Sequence, residues 1–270
     1  MFAFQPDSSV VADVVPSVNC GQRLAGREPD MILLHYTGML DAQAALKRLC
    51  SPDSKVSSHY LVFEDGRIVQ CVPESERAWH AGASSWAGET DINSCSIGIE
   101  IANPGHDFGY PDFPSRQIAA VIALCRGIIA RRGIRPERVL AHSDVAPARK
   151  QDPGEKFPWR LLSDSGVGLW VPPSRIDDDA PALSEGASSE GVGELQRDLA
   201  AYGYGIDVTG DYDTATRDTV AAFQRHFRPG RIDGKADEST LRTLAALCEK
   251  RRRLEYGDAA EREGDPVPSS

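Results

Sequence analysis

Met31-Ile32-Leu33-Leu34-His35-Tyr36 is the stretch on which the reading of this chain turns. Four apolar residues in a row, without alternation and too short for a helix, predict a buried strand. Residues 95–102, containing Ser96-Ile97-Gly98-Ile99-Glu100, read the same way, as does the short run Val139-Leu140-Ala141-His142. Ser58 to Phe63 and Arg67 to Val72 are β-rich and flank Glu64-Asp65-Gly66, where Asp-Gly predicts a hairpin. Helical signals lie between these runs. Asp41 is a candidate N-cap for a helix through Leu49, with Ala44, Ala45, Leu46 and Leu49 available to pack. Ser115 is read as the cap of a longer helix whose Ile118, Val121, Ile122, Cys125, Ile128 and Ile129 fall on one face. Arg131 and Arg132 suit its C-terminus and Gly133 stops it. The expected fold class is α/β: a mixed central β-sheet flanked by helices.

The chain has 270 residues, enough for one large or two moderate domains. From about Asp164 the composition shifts. Pro172-Pro173, Asp177-Asp178-Asp179 and Ser184 to Gly191 carry few apolar anchors and predict a linker at 172–190. Beyond it Leu195, Leu199, Val220, Phe223, Phe227, Leu241, Leu244 and Leu247 can form a small three-helix core. The expected organisation is a catalytic domain at 1–171, the linker, a helical domain at 191–249 and a disordered tail at 250–270.

A formal net charge of −10 argues against nucleic acid as a partner. No stretch approaches the roughly 20 apolar residues of a membrane span. The segment Met1 to Asp7 lacks the basic start and apolar core of a secretory signal. Cys20, Cys50, Cys71, Cys95, Cys125 and Cys248 show no CxxC spacing, and several lie in apolar runs. A cytoplasmic location is expected, with an exported protein read without its leader as the alternative.

Each predicted central strand ends in a residue that can do chemistry. His35 and His142 close two of them, and Asp152 opens the turn Asp152-Pro153-Gly154 ten residues after His142. Two imidazoles and a carboxylate are a ligand set for a catalytic zinc that keeps one position open. Glu100, ending the third strand, is the nearby carboxylate a zinc hydrolase needs to manage protons. A lone histidine at a strand end is more often structural; the combination favours a metal site.

The motifs around these residues resemble the zinc-dependent N-acetylmuramoyl-L-alanine amidases of the type 2 amidase family. They are Ile32-Leu33-Leu34-His35-Tyr36-Thr37, Ser57-Ser58-His59-Tyr60-Leu61-Val62, Ala78-Trp79-His80-Ala81-Gly82, Ser96 to Glu100, and His142-Ser143-Asp144-Val145-Ala146-Pro147-Ala148-Arg149-Lys150-Gln151-Asp152-Pro153-Gly154. Five motifs stand in order over about residues 15–165. The resemblance implies a fold shared with peptidoglycan recognition proteins, one Zn2+ held by His35, His142 and Asp152, and catalytic roles for Glu100 and Lys150. Trp79 and His80 are then expected to line the substrate groove, with Asn103 a weaker candidate for the stem peptide. His59 is expected to be a core or supporting histidine. The Arg that relatives often carry before the Ser-Ile-Gly-Ile-Glu strand is absent: Glu89-Thr90-Asp91 stands there. Another cation, or a different mode of recognition, is implied.

The C-terminal region resembles the peptidoglycan-binding type 1 domain over about residues 191–247. The resemblance rests on Leu195-Gln196-Arg197-Asp198-Leu199, Tyr202-Gly203-Tyr204, Thr209-Gly210-Asp211-Tyr212-Asp213, Phe223-Gln224 and Asp233-Gly234-Lys235-Ala236-Asp237. The expected activity is hydrolysis of the amide joining the muramoyl lactyl group to L-alanine, acting on soluble anhydro-muropeptides in recycling. A periplasmic or secreted wall amidase is one alternative, and a non-catalytic peptidoglycan recognition protein is another.

Overall fold

The computed structural model describes residues 4–263, with residues 256–263 as backbone only. In chain order the elements begin with β1 (Asp13–Val14), β2 (Cys20–Gln22), β3 (Met31–Tyr36), α1 (Ala42–Cys50), β4 (Tyr60–Val62), β5 (Ile68–Gln70) and β6 (Glu76–Ala78). They continue with α2 (Ile92–Cys95), β7 (Ser96–Ile101), α3 (Ser115–Arg132), β8 (Val139–Ala141), α4 (His142–Val145) and α5 (Trp159–Asp164). The C-terminal part holds β9 (Ala182–Leu183), α6 (Glu190–Tyr202), α7 (Thr214–Phe227), β10 (Ala236–Asp237) and α8 (Glu238–Glu263).

The central sheet has six strands in the order β1-β5-β4-β7-β3-β8. Strand β3 runs parallel to β7 on one side and β8 on the other, and β4 is parallel to β7. The expected hairpin is present, with β4 and β5 antiparallel. The sheet is therefore mixed and flanked by helices, as the sequence predicts. Because β7, β3 and β8 point the same way, their C-terminal ends open at one edge, where ligands bind in open α/β sheets. His35 and Glu100 are direct neighbours in the β3–β7 register, and His142 follows the last residue of β8.

Alternation along β3 assigns its two faces. Ile32 and Leu34 join Ile97, Ile99, Ile118, Val121, Cys125 and Ile128 in a core between the sheet and α3. Met31 and Leu33 point the other way, into a cluster with Leu140, Trp86, Leu195, Leu199, Val220, Phe223 and Phe227. Each such fully buried side chain contributes roughly 1.5–3 kcal/mol. Helix α1 covers the β4–β5 end through Ala42, Leu46 and Leu49. Asp41 caps it, accepting the N–H of Gln43 at 2.8 Å. At α3 the N-cap is Pro114, and Ser115 is the first helical residue rather than the cap.

Three expectations about the C-terminal region need correction. The segment 172–190 is not a free linker: Ser174 is held by Thr243 and Ser239 of α8, and Ala182–Leu183 pairs antiparallel with β10. The helical unit shares one apolar cluster with the sheet instead of closing its own, because Met31, Leu33 and Leu140 need a cover that α6 and α7 supply. Leu241 lies outside that cluster and is exposed. Finally, residues 250–263 extend α8 instead of forming a disordered tail. Arg251 anchors them by donating to the carbonyls of Ala201 and Tyr202 and to Glu255. Residues 264–270, also expected as tail, lie outside the described residues.

Candidate active site

The strand ends deliver their side chains to one point. Nδ1 of His35 lies 2.9 Å from Nδ1 of His142 and 3.0 Å from Oδ2 of Asp152, and His142 Nδ1 lies 2.9 Å from the same oxygen. All three residues are buried. The backbone N–H of Ser143 donates to the carbonyl of Asp152 at 3.1 Å, tying the two segments that carry His142 and Asp152.

The hydrogen bonds behind the histidines decide what these three atoms can be. Ser96 Oγ donates to the carbonyl of Ile92 at 2.6 Å, so that oxygen is free to accept from His80 Nε2 at 3.3 Å. His80 then carries its proton on Nε2 and presents a lone pair at Nδ1, which accepts from His35 Nε2 at 3.0 Å. His142 Nε2 faces the carbonyl of Ala81 at 3.0 Å and must donate to it. In the neutral form both ligand-side nitrogens, Nδ1 of His35 and Nδ1 of His142, are left as lone pairs. Two lone pairs and a carboxylate oxygen within hydrogen-bond distance, with no proton among them, fit a cation. Orientation of each imidazole through its other nitrogen is also how proteins fix metal-ligating histidines. His35, His142 and Asp152 could therefore hold a metal ion.

Electrostatics agree. Burial, followed by the charge of His142, lowers the His35 pKa to about 4, so the ring is neutral and available near neutral pH. Burial alone would raise Asp152, but the charges and hydrogen bonds of His142 and His35 win and hold it well below the usual carboxylate range.

Glu100 is set differently. Burial, reinforced by the charge of Asp152 and opposed by Lys150, pushes its pKa well above the ordinary value. Its Oε2 is buried with no hydrogen-bond partner among the described residues. A carboxyl raised in this way at a cleft is a candidate proton carrier.

These residues line a cavity of about 420 Å³ together with Lys150, Trp79, Tyr36, His106, Arg48 and Arg149. Lys150 forms no ion pair among the described residues and stands as a free cation in the wall. Trp79 is half-buried there, its backbone tied to Ser57. His80 reaches the cavity wall, but both its nitrogens are engaged behind His35. Its ring lies flat against β7, where a side-chain carbon on Gly98 would come within 2.6 Å of it. Asn103 is not brought to the cavity: its amide donates to Pro111 and accepts from Gly105, fixing the 103–111 loop. His59 is a core histidine, accepting the N–H of Gly98 at 2.9 Å and facing the carbonyl of Glu76 at 3.0 Å.

Sequence reasoning missed Tyr36, His106 and Arg48 as wall residues. Tyr36 contacts His106 at 3.0 Å, and His106 pairs with Glu155. Nothing in their spacing signals this, since a loop brings His106 over the strand end.

A mixed α/β sheet with His, His and Asp meeting at its carboxyl edge, beside a half-buried Glu of raised pKa and a Lys in the cavity wall, is the architecture of a hydrolase with a metal-capable centre. Residues 25–155 match the N-acetylmuramoyl-L-alanine amidase family model, and residues 188–244 match that of a putative peptidoglycan binding domain. The N-acetylmuramoyl-L-alanine amidase AmiD of Escherichia coli is 41% identical over 234 residues, covering 82% of each chain. A solved complex of that E. coli amidase with anhydro-N-acetylmuramic acid-L-Ala-D-gamma-Glu-L-Lys superimposes with a TM-score of 0.70 at 39% identity, covering 84% of this chain and 91% of the other. AMPDH3 from Pseudomonas aeruginosa, solved with anhydromuramic pentapeptide, gives a TM-score of 0.70 at 34% identity, covering 84% and 94%. The chain belongs to the N-acetylmuramoyl-L-alanine amidase family. It is an amidase that hydrolyses the bond between the N-acetylmuramoyl group and L-alanine.

Proposed function

We propose that this amidase is zinc-dependent, uses His35, His142 and Asp152 as its ligands, and works on soluble 1,6-anhydro-muropeptides in peptidoglycan recycling. The observation that carries the reading is the three-way meeting of His35 Nδ1, His142 Nδ1 and Asp152 Oδ2, with the partners behind each ring placed to take its proton on the other nitrogen. The donor set, two nitrogens and one oxygen, suits Zn2+ with a position left open. When bound, such an ion supplies Lewis-acid chemistry, acidifying water to a pKa of about 7 and polarising a carbonyl.

The chain's own residues do the rest. Glu100, half-buried with its Oε2 enclosed and its pKa raised, takes the proton of the attacking water and returns it to the departing amine of L-alanine. Lys150, without an ion pair among the described residues, stabilises the negative charge that develops on the carbonyl oxygen. Trp79 offers an aromatic face to sugar or peptide in the same wall. His80 acts through His35 by holding its tautomer rather than by touching substrate. Arg48, an exposed cation of α1 with no ion pair among the described residues, is the candidate for a stem-peptide carboxylate.

We take residues 1–171 as the catalytic region and 191–249 as the peptidoglycan-binding-like unit. Soluble fragments in the cytoplasm suit six cysteines that are all free thiols, and no described helix is long and apolar enough to cross a membrane. The match at residues 188–244 supports a second reading, a periplasmic enzyme acting on intact wall.

Mass spectrometry of products from defined muropeptides, with and without a chelator, tests both layers. Expected is cleavage at the lactyl–L-alanine amide, loss with chelator and recovery with zinc. Rapid release from intact sacculi with little action on soluble fragments would overturn the recycling assignment.

A further inference from the structure

Two residues beyond His142 lies Asp144, fully buried and used by no step of the chemistry above. Its Oδ2 accepts the backbone N–H of Ala141 at 2.8 Å, bracing the first turn of α4 where His142 sits. Its other two donors come from the C-terminal unit. Tyr204 donates its hydroxyl to Oδ1 at 2.8 Å, and His226 Nδ1 donates to Oδ2 at 2.7 Å. Both are buried, and the His226 ring stacks on Trp159 of α5 at a centroid distance of 3.7 Å.

The same unit grips the loop that orients His142 from behind. Ala81, whose carbonyl takes the His142 proton, begins a loop leading to Trp86. The ring of Trp86 packs edge-on against Tyr202 and Tyr204, and Ala87 N–H donates to the carbonyl of Gly203 at 2.7 Å. The approach is close: side-chain carbons built on Gly203 and Gly205 would come within 2.6 Å of Trp86 and 2.0 Å of Ser85. Ser85 N–H in turn donates to the carbonyl of Val145 at the end of α4.

We propose that the C-terminal helical unit is a fixed part of the metal site, with Tyr204 and His226 as positioning residues for His142. They hold Asp144 and so α4, while the 202–205 segment holds the loop carrying Ala81. Because Ser143 N–H is bonded to the Asp152 carbonyl, a shift of α4 moves two ligands together. The unit is thus a buttress of the centre rather than a tethered module. This inference rests on the reading of His142 and Asp152 as ligands.

The test uses the full chain, with zinc affinity measured by competition against a chromogenic chelator and kcat and KM measured separately. Tyr204→Phe and His226→Leu are each expected to weaken zinc binding about tenfold, within the range for loss of a supporting partner. A fall in kcat with little change in KM should accompany this. His226→Asn, whose amide nitrogen lies near the position of Nδ1, should retain most of the affinity. Gln196→Ala removes bonds to Thr209, Asp211 and Thr216 that lie within the unit and do not reach Asp144 or the Ala81 loop, and should leave zinc affinity within twofold. Unchanged affinity in Tyr204→Phe and His226→Leu, with His142→Ala losing zinc, overturns the buttress and leaves the ligand reading standing. Zinc retained in His142→Ala overturns the ligand reading itself. Should His226→Leu fail to fold, Tyr204→Phe, which removes one oxygen atom, decides alone.

Discussion

Asp144 and Asp152 both follow His142 within ten residues, both are buried and each lies within 3 Å of an imidazole nitrogen, of His226 and His142 respectively, yet they are opposite kinds of site. Asp144 faces three donors: a backbone N–H, a phenol and an imidazole N–H. Each of its contacts has a proton, and the carboxylate is satisfied as a structural anion. Asp152 faces two imidazole nitrogens whose protons are committed elsewhere, to His80 and to the Ala81 carbonyl. Its contacts have no proton, so only a cation completes them. Burial and distance do not separate a ligand from a strut; the bookkeeping of protons one bond further out does.

Removing Asp152 should give the largest effect. Asp152→Ala takes away the only anionic member of the triad, and zinc content after dialysis and amidase activity should both fall to background. Full zinc retention would mean that the two lone pairs meet for another reason. Glu100→Gln separates binding from chemistry. It keeps the shape and removes the titratable proton, so kcat should drop about 10²–10⁴-fold while zinc binding stays. Because burial raises its pKa, the basic form of Glu100 in the wild-type enzyme is lost as pH falls, and kcat/KM should decline on the acid side from a higher pH than an ordinary carboxylate would allow. Activity within tenfold of wild type in Glu100→Gln would remove Glu100 from the reaction.

Metal-free protein offers a subtler contrast between site and core histidines. Burial first, then neighbouring charge, lowers His35 to about 4 and His59 to about 3. Both sit below the unfolded value of about 6.5, so between these limits the unfolded chain binds protons that the fold refuses. Stability should therefore fall as pH drops through 6.5, by about 1.4 kcal/mol per pH unit for each such histidine. Urea denaturation of the apoprotein from pH 7 to pH 4 checks this. Bound zinc should protect further at neutral pH by mass action and lose that protection as the ligands protonate. The raised Glu100 acts with the opposite sign, because the fold keeps a proton that the unfolded chain loses, so the measurement is repeated on Glu100→Gln; a flat profile there between pH 6.5 and 4 would show that neither histidine is held neutral.

Much of this was legible in the chain because strand ends are rigid and local. The run through Met31 to His35 predicts both the buried strand and the place of the histidine proposed as a ligand, and the Ser96 to Glu100 run does the same for the proposed proton carrier. What stayed hidden depends on long-range packing. Asp144 reads as one more polar residue in His142-Ser143-Asp144; its partners Tyr204 and His226 are 60 and 82 residues away. The linker expectation failed for a related reason. Polar, proline-rich composition marks a segment without its own core, but Ser174 and Leu183 are held by hydrogen bonds to another element, which composition does not record. Asn103 follows a catalytic strand in sequence, yet the chain turns there and spends the amide on its own loop.

The smallest expected effect distinguishes two adjacent residues, Trp79 and His80, which the sequence alone places together in the substrate groove. Trp79 is tied by its backbone, donating N–H to Ser57 Oγ at 2.9 Å and accepting from Ser57 N–H at 3.1 Å, so removing its ring leaves that pairing intact. Trp79→Ala should raise KM about five- to tenfold, the scale of one aromatic contact, with kcat and zinc affinity unchanged. His80→Ala should show the inverse pattern. It removes the acceptor of the His35 Nε2 proton, loosens the tautomer and lowers zinc affinity by about 10–100-fold, while KM moves little. If both variants raise KM alike, His80 belongs to the groove after all and the proton chain from Ile92 through Ser96 and His80 to His35 carries no function. If they split, neighbours in sequence act on different steps, one on the substrate and one on the proposed ligand His35, because both follow the end of β6, where the chain turns one side chain inward.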